Sequence, residues 1–459
     1  MKNKLLNIYY HLLAFFARKY LRRHTSYIIG INGSVGKTSC RMIIAQTLKQ
    51  FLNNKKIYTS SKNFNGELGL SLSVFTIEKR DPTLVCFVKT LCRVVWQWLF
   101  GKKLYDVIIL EYGIDRPKEM EFLLSIAKPH IGVFTAIDAV HSEQFGDPSK
   151  IAHEEVKMIK GTTEVAFLNA NDTYAMQLRD QIYIDTFTYQ TEGHESKANI
   201  RFANEKFVLW DLEWTVGVEF DSFIKNAEHK IRTNLIGKSN YGYIGVALAI
   251  TEILMYKYWP SKSPAMLDWS PFEGDSIDLQ YELQPGRLSV FPWIEKSIVI
   301  DSTYNASPLS VRSVINTVHN VQQQLFPGRK MWLVLGDMRE LGDWTEREHR
   351  LLASYVSVVA DRLFLVGEYM NAHLVDELQK FGYDMKRVLV CSSALDAWRK
   401  IKHMLKESGL ECLLVCKGSQ NTIFLEETVK MLLANPVDKE KLTRQSKRWI
   451  DKKKEFFGE

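Results

Sequence analysis

The sequence predicts an α/β protein in which a central domain with a parallel-rich sheet is followed by a second, Rossmann-like α/β domain. Two observations support this fold class. Short apolar runs typical of buried strands alternate with longer segments of helical periodicity. Several of these runs end in glycine or a charged residue, which is typical of the ligand-binding edge of an open parallel sheet. Because 459 residues exceed one ordinary core, we expect more than one domain.

The composition is that of an ordinary globular chain. Hydrophobic residues make up 46% of the sequence and charged residues 25%. The 6 cysteines have neither metal-ligand nor disulfide-framework spacing, and we expect Cys412 and Cys416 to be buried thiols in a reducing compartment. The formal net charge of +7 is concentrated in residues 1–24, so no nucleic-acid-binding charge is predicted for the rest of the chain.

Residues 1–25 are predicted to form a basic amphipathic helix. Its cations, with no acid among them, are Lys2, Lys4, Arg18, Lys19, Arg22 and Arg23. The helix is too short and too interrupted by polar residues to span a bilayer, and no signal-peptide cleavage site follows it. Two interpretations stay open: a helix at an anionic membrane surface, or a helix packed on the neighbouring domain, which we favour.

A phosphate-binding loop follows the first predicted strand. Residues 30–39 read Gly-Ile-Asn-Gly-Ser-Val-Gly-Lys-Thr-Ser, between an apolar run and a helical pattern. In such a loop the backbone N–H groups surround a phosphate, the lysine reaches the outer phosphates and the threonine hydroxyl binds Mg²⁺. The loop keeps only the shorter Gly-x-x-Gly-Lys-Thr form. The predicted nucleotide site comprises Gly33, Ser34, Val35, Gly36, Lys37, Thr38 and Ser39.

Two later strands of the central domain lead to further candidate ligands. Residues 105–111 predict a buried strand that ends in Glu111, and a carboxylate at that edge is the expected second anchor for Mg²⁺. The strand 131–135 precedes His141, which we place at the same crevice. The alternatives stay open at this point: Glu111 caps a turn, and His141 is a structural histidine.

Residues 82–105 are a second basic segment, rich in tryptophan and again without an acid up to residue 105. Trp96 and Trp98 stand among apolar residues together with Lys89 and Arg93. This segment favours peripheral membrane contact through 1–24 and 82–105, or a surface for a partner.

The strand–helix alternation restarts after Pro285-Gly286-Arg287, which we interpret as a hinge. Four strands of this half end near Asp301, Gly336, Gly367 and Lys417, as in a Rossmann-like unit. We therefore predict an ATP-binding domain over 26–290, a C-terminal domain over 291–435 and a charged, exposed helical tail over 436–459.

Taken together, these stretches resemble the Mur ligases over about residues 26–435. The landmarks occur in the family's order at 33–38, 63–69, 110–113, 141–146, 169–172, 286–287, 301–308, 335–342 and 417–419. The nearest branch adds D-alanyl-D-alanine to UDP-N-acetylmuramoyl-tripeptide. The resemblance implies an ATP-dependent acid–D-amino-acid ligase of peptidoglycan precursor synthesis, which activates a carboxylate as an acyl phosphate and joins it to an amine.

The resemblance also implies roles for individual residues. Lys37 would neutralise the phosphates, Thr38 and Glu111 would bind the nucleotide-bound Mg²⁺, and Glu111 and His141 would bind a second Mg²⁺. The implied nucleotide contacts are Asn240, Arg287, Asp301, Tyr304 and Asn305, with Asp301 at the ribose. The implied substrate contacts are Asn63, Asn65, Lys417 and Ser419.

Three departures from the family pattern are visible. Glu155 stands where the family usually has a carbamylated lysine, and we predict that its carboxylate serves the second Mg²⁺ instead. A solvated helix glutamate is one alternative, and Lys157 as a shifted replacement is another. The helix-opening motif keeps Asn240 but has Ser239 and Tyr243 in place of histidine and the second asparagine. The family's UDP-binding domain has no room before the phosphate-binding loop.

We therefore predict a cytoplasmic, monomeric ligase that uses ATP and two Mg²⁺ ions, with small-molecule substrates and no nucleic-acid partner. Peripheral attachment to the inner face of the membrane stays open. Two alternatives remain: a ligase of the same architecture acting on folate or a glutamyl polymer, and a nucleotide-binding scaffold with a decayed site.

Overall fold

The structure, a computed structural model, describes residues 2–60, 64–78, 83–138, 145, 147–193, 197–210, 216–225, 227–258, 272, 276–282, 284–292, 297–408, 411–420 and 422–458. Within these ranges the strands form two sheets, each packed between helices. The predicted α/β fold class is confirmed.

The first sheet is parallel around its centre and antiparallel towards one end. Its order is β10-β9-β8-β7-β6-β5-β4-β1-β3-β2. The strands are β1 (Tyr27–Asn32), β2 (Ile57–Thr59), β3 (Val107–Glu111), β4 (Ile131–Phe134), β5 (Val165–Asn169), β6 (Asp185–Tyr189), β7 (Ile200–Leu209), β8 (Val216–Ile224), β9 (Ala227–Thr233) and β10 (Ile277–Leu279). The central strand β1 pairs in parallel with both β3 and β4, and β7, β8 and β9 pair antiparallel.

The central strand β1 is buried on both faces because its apolar residues alternate between two cores. Ile29 and Ile31 belong to one core, and Ile28 belongs to the other. The first face is covered by the helices Lys37–Phe51 and Lys238–Tyr258. The second face is covered by the helices Lys2–His24, Glu67–Val74, Glu119–Ile126 and Pro148–Lys160, and the short helix Thr173–Leu178 follows β5.

The helix Lys2–His24, called here the N-terminal helix, packs on the second face as favoured from the sequence. Leu13, Ala17 and Tyr20 are fully buried against that core. The Tyr20 hydroxyl donates to the carbonyl oxygen of Lys102 at 3.2 Å and accepts from the N–H of Leu104 at 3.0 Å. The helix Leu84–Phe100, called here the tryptophan helix, lies beside it.

The second sheet is the Rossmann-like part of the chain. Its order is β11-β12-β16-β13-β14-β15, parallel except for the pair of β11 and β12. Its strands are β11 (Ser289–Pro292), β12 (Ile298–Ser302), β13 (Lys330–Gly336), β14 (Arg362–Val366), β15 (Val388–Cys391) and β16 (Cys412–Lys417). One face carries the helices Pro308–Leu325, Thr345–Leu351, Ala353–Val359 and Val375–Lys380, and the other carries Ala394–Ser408 and Glu426–Lys430. Cys412 and Cys416 are buried, as predicted.

The C-terminal tail contains the predicted helix, Lys447–Phe457. The prediction that the tail is exposed is wrong for two of its cations, Arg444 and Lys453. The side chains of Arg444 and Lys453 are 6% and 5% exposed, because both pair with the fully buried Glu426. In the described parts of the chain, no helix is both long and apolar enough to cross a bilayer.

Candidate functional site

The turn after β1 has a backbone that only glycine adopts readily. Gly33 and Gly36 have φ angles of +123° and +90°. A Cβ atom on Gly33 would collide with the Thr135 hydroxyl, and one on Gly36 would collide with the Tyr243 hydroxyl. The loop therefore fits closely against the residue that follows β4 and against the helix Lys238–Tyr258.

Backbone and lysine contacts hold the rest of this loop. The N–H groups of Ser34 and Val35 donate to the carbonyl oxygen of Ala136, at 2.7 and 3.3 Å. Lys37 donates from Nζ to the carbonyl oxygens of Gly33 and Ser34, the second at 3.2 Å. The ammonium group thus lies over the loop at the N-terminus of its helix, where a helix favours anions.

The parallel pairing of β1 with β3 brings Glu111 to the start of the same helix. Glu111 lies opposite Ile31 in the register. The Thr38 hydroxyl is 3.4 and 3.3 Å from the two carboxylate oxygens of Glu111. Arg41 Nε donates to Glu111 Oε2 at 3.0 Å, and both side chains are almost fully buried. The arginine balances the buried carboxylate, while Glu111 Oε1 stays beside the threonine hydroxyl.

Thr38 and Glu111 have the oxygen ligands that Mg²⁺ prefers. Mg²⁺ bound to a nucleotide keeps several waters and phosphate oxygens and needs only one or two protein ligands. Among the described residues no cluster of three or more His, Cys, Asp or Glu side chains could hold a metal alone. His141, the predicted ligand of a second ion, lies outside the described residues.

Glu155, on the helix Pro148–Lys160, lies under the loop and is only 2% exposed. Its Oε2 accepts from the Asn32 side-chain amide at 3.0 Å, and its backbone carbonyl accepts from the same amide. Burial raises the pKa of Glu155 to about 7, although Lys37, the Asn32 amide and the Gly33 N–H favour its charged form. The alternative of a solvated helix glutamate is wrong.

A cavity of about 730 Å³ opens in front of the loop and is lined by residues from both halves of the chain. From the first half it is lined by Ser34, Lys37, Thr38, Asn65, Glu111, Asn169, Asn171, Ser239, Asn240 and Tyr243. From the second half it is lined by Arg287, Tyr304, Asn305, Ser310, Glu340, Lys417 and Gln420. Cavities of this size hold cofactors and other small molecules.

Two cations of the second half lie in this cavity. The Arg287 guanidinium stacks over the Tyr304 ring, 4.3 Å from its centroid. Lys417 donates from Nζ to the carbonyl oxygens of Asn305 and Ser302, the second at 3.4 Å. Burial, followed by repulsion from Arg287, lowers the pKa of Lys417 to about 7. Lys417 is therefore a cation whose charge responds to pH near neutrality.

Four of the predicted site residues that the structure describes do not line the cavity. Asp301 is fully buried, and its Oδ1 accepts from the N–H and hydroxyl of Thr303 at 3.0 and 2.6 Å. Burial raises the pKa of Asp301 to about 6. Ser419 is also buried and donates to the carbonyl oxygen of Ala306 at 3.1 Å. Glu155 and Gly33 are the other two, and Asn63 lies outside the described residues.

Sequence reasoning missed three residues that shape this site. Arg41 pairs with Glu111, the Tyr243 hydroxyl abuts Gly36, and Arg444 donates to the carbonyl oxygens of Thr303 and Tyr304 at 2.6 and 2.9 Å. Arg41 stands one helical turn after Lys37, which is the one local signal that it faces the loop. Arg444 lies in the tail, where no local pattern links it to residue 304.

Comparisons with known proteins agree with this geometry. Residues 31–251 match the family model described as the Mur ligase middle domain, and residues 286–420 match the Mur ligase, glutamate ligase domain. The UDP-N-acetylmuramoyl-tripeptide–D-alanyl-D-alanine ligase of Bacillus subtilis is 24% identical over 423 residues, which are 92% of this chain and 79% of the relative.

Two solved structures share the fold. The crystal structure of MurF from Acinetobacter baumannii superposes with a TM-score of 0.68 at 17% identity, over 92% of this chain and 79% of that chain. The MurF ligase from Thermotoga maritima in complex with ADP gives a TM-score of 0.66 at 19% identity, over 92% of this chain and 83% of that chain.

Proposed function

Because this chain belongs to the Mur ligase family, we propose that it is an ATP-dependent ligase of peptidoglycan precursor synthesis, which forms a carbon–nitrogen bond between a carboxylate and an amine. One observation carries the proposal: the loop lysine, the Thr38–Glu111 pair and the cations Arg287 and Lys417 surround one cavity. The name of the Bacillus subtilis relative supports the finer assignment, addition of D-alanyl-D-alanine to a UDP-N-acetylmuramoyl-tripeptide.

The reaction explains why the cavity is lined with cations. A carboxylate resists attack by an amine, so its oxygen first takes the γ-phosphoryl group of ATP, and ADP leaves. The amine nitrogen then attacks the acyl carbon, loses a proton, and inorganic phosphate departs. Both steps crowd negative oxygens together, and Lys37, Arg287 and Lys417 supply positive charge where the phosphates and the acyl group would meet.

We propose that Thr38 and Glu111 hold the Mg²⁺ of the nucleotide. Magnesium bound there would neutralise charge on the phosphates. Arg41 keeps the buried Glu111 in a fixed orientation.

A second Mg²⁺, held by Glu111, His141 and Glu155, remains a proposal. The position of Glu155 under the loop supports a loop-holding role at least as strongly, because its contacts are to Asn32 and Gly33.

The remaining predicted contacts are proposals of the same kind. Asn240, Tyr304 and Asn305 line the cavity and suit nucleotide binding, and Asn65 suits the substrate. Asp301 and Ser419 would reach a ligand only if the two halves of the chain shifted. One chain supplies both walls of the cavity, which supports a monomer. Membrane contact through 1–24 and 82–105 is a separate proposal, because no described residue of these segments lines the cavity.

The test is release of inorganic phosphate from ATP with D-alanyl-D-alanine and UDP-N-acetylmuramoyl-tripeptide. Lys37→Ala should lower the rate about 100-fold or more, because it removes a cation from the crowded phosphates. Lys49→Ala is the matched control, since Lys49 is exposed on the same helix. Glu155→Gln with a Mg²⁺ titration separates the two roles: a loop-holding residue leaves the Mg²⁺ requirement unchanged.

Other acceptors in the same assay test the alternatives. A folate or a glutamyl chain that releases phosphate faster than the muramoyl tripeptide would contradict the substrate assignment. If none of these acceptors supports phosphate release while ADP still binds tightly, the result would instead favour a nucleotide-binding scaffold.

A further inference from the structure

The N-terminal helix and the tryptophan helix lie side by side on the outside of the first sheet. Tyr9 contacts Phe87 with ring centroids 5.0 Å apart, and Phe16 contacts Trp98 at 5.3 Å. Arg23 donates from one guanidinium nitrogen to the carbonyl oxygens of Trp98 and Leu99, at 2.6 and 2.8 Å. The pair of helices is thus a continuous surface rather than two loose segments.

Several large apolar residues of the tryptophan helix face outward. Val94 is its only fully buried side chain among those the structure describes. An exposed stripe follows the helical repeat through Val85, Val88, Trp96 and Phe100, with Trp96 59% and Phe100 69% exposed. An ordinary surface helix shows the reverse pattern, with its apolar stripe facing the core. This stripe is therefore an exposed hydrophobic patch of the kind that marks a binding surface.

The N-terminal helix extends this patch. Its inward side is buried, whereas Ile8, Leu12 and Phe15 are exposed at helical spacing, and Lys19 and Arg22 continue the same side. We call the exposed side chains of the two helices the basic apolar face.

The basic apolar face carries cations without acids of its own. Lys89 and Arg93 flank the stripe, and Lys19, Arg22 and Lys102 lie towards its C-terminal end. Among the described residues, acids of neighbouring segments lie at its edge: Glu78 lines a small recess with Lys89 and Arg93, and Asp106 pairs with Lys103 at 3.0 Å. Glu67 lies close to His11 of the N-terminal helix. The net charge of the face is positive.

We propose that the basic apolar face binds the surface of an anionic lipid bilayer. Trp and Phe side chains beside Lys and Arg match the boundary between headgroups and acyl chains, where aromatic rings are favoured and basic residues meet acidic lipids. A second copy of this chain fits less well, because two such faces would bring like charges together. The helices lie in the interface plane rather than crossing it.

The experiment is sedimentation of the full chain with vesicles of phosphatidylcholine alone or with about one-third phosphatidylglycerol. The protein should sediment with the acidic vesicles and remain in solution with the zwitterionic ones. Trp96→Ala with Phe100→Ala, and separately Lys89→Gln with Arg93→Gln, should each lower the bound fraction at least about fivefold.

Matched controls come from exposed residues elsewhere. Val358→Ala with Val437→Ala removes apolar groups, and Lys406→Gln with Lys439→Gln removes charge, and neither pair should change binding. Circular dichroism and the unfolding midpoint show whether each variant folds. Equal binding to both vesicle types, or equal loss in the controls, would overturn the proposal. So would a dimer in sedimentation velocity that Trp96→Ala with Phe100→Ala abolishes. Vesicle binding does not involve ligase turnover, so its failure leaves the proposed function intact.

Discussion

The two ends of the chain are both rich in cations, but they differ in whether the fold buries any of those cations. The N-terminal helix and the tail after residue 436 are both basic, helical and amphipathic. In the N-terminal helix, Lys19, Arg22 and Arg23 face solvent. In the tail, Arg444 and Lys453 are buried in an ion cluster with Glu426 and Glu427.

The difference arises from acids that lie outside both segments. Glu426 is fully buried at the start of the helix Glu426–Lys430, where an unpaired charge would be costly. Arg444 donates from Nε and an NH₂ group to its two oxygens at 2.8 and 2.7 Å, and Lys453 pairs with Oε1 at 3.0 Å. The core cluster beneath the N-terminal helix consists of apolar side chains. Arg444 and Lys453 are thus buried because the fold places buried carboxylates beside them.

The buried cluster also connects the tail to the cavity. Arg444 holds the carbonyl oxygens of Thr303 and Tyr304 while it pairs with Glu426. Tyr304 and the next residue, Asn305, line the cavity. The tail is therefore part of the framework that positions this stretch of the cavity wall, although it lies beyond the matched family models.

Among the substitutions considered, Arg444→Gln is expected to lower the free energy of unfolding the most. Removal of one partner from a buried ion pair leaves Glu426 with less compensation and should lower the free energy of unfolding by about 3–5 kcal/mol. Urea unfolding followed by tryptophan fluorescence measures the change. Arg22→Gln, at the exposed end of the N-terminal helix, should change it by less than about 0.5 kcal/mol. Equal losses in the two variants would remove the distinction between the two ends.

The next effect depends on pH. Burial alone would raise the pKa of Glu427, but its hydrogen bond and charge pair with Lys453 outweigh burial, so its pKa is lowered. A carboxylate with a lowered pKa stabilises the fold above its unfolded pKa, and this contribution is lost as the pH falls through the folded value. Glu427→Gln should therefore be less stable than the wild type by about 1.5–3 kcal/mol at neutral pH.

The same deficit should shrink as the pH is lowered below about 4, because the wild-type carboxylate is then protonated too. Urea unfolding at a series of pH values gives the deficit directly. A deficit that stays constant with pH would mean that the amide disturbs packing and that the charge pair contributes little.

Salt concentration should affect vesicle binding by the N-terminal helix and stabilisation by the tail to different extents. Raising NaCl from about 0.05 to about 0.5 M should lower binding to acidic vesicles at least about fivefold, because the exposed cations are screened. The stability deficit of Arg444→Gln should change little over the same range, since buried charges are screened much less. Salt-independent vesicle binding would indicate that the aromatic stripe acts without the cations.

The smallest expected effect is at an exposed ion pair beside the basic apolar face. Lys103 and Asp106 are 3.0 Å apart, with 38% and 29% of their side chains exposed. Lys103→Gln should change the free energy of unfolding by less than about 0.5 kcal/mol. Lys380→Gln removes a similar exposed pair with Glu377 and serves as the control. A loss above about 1 kcal/mol at Lys103 alone would show that this edge of the face is structurally coupled to the core.

The parts of the site that follow from local pattern could be predicted. A glycine-rich turn between an apolar strand and a helix has few alternative structures, so the loop around Lys37 was accessible from its own residues. Glu111 was accessible because ligands gather at the carboxyl ends of parallel strands. The partners of these residues were not accessible. The spacing of Arg41 from Lys37 indicates only that it faces the loop, not that it pairs with Glu111. Nothing local indicates that the Tyr243 hydroxyl contacts Gly36.

For Glu155 the sequence indicated that the residue lies near the site, but not which groups its carboxylate contacts. Its match to the family's carbamylated lysine predicted a place beside the second Mg²⁺, and in the structure it lies near Lys37. The side of the loop on which it lies depends on how the helix Pro148–Lys160 packs against β1, and that packing turns its carboxylate towards Asn32. The metal role predicted for it remains open to the Mg²⁺ titration.

By itself the sequence determined the alternation of strands and helices, the loop with its lysine, and the acid at the end of β3, because each follows from residues close together in the chain. The tertiary structure alone decided which charges are buried and which are exposed. That choice depends on partners far apart in sequence: Arg444 beside Tyr304, Arg41 beside Glu111, and the two basic helices beside each other. Burial of a charge is favourable only when such a partner is in place, and only the folded chain brings the partners together.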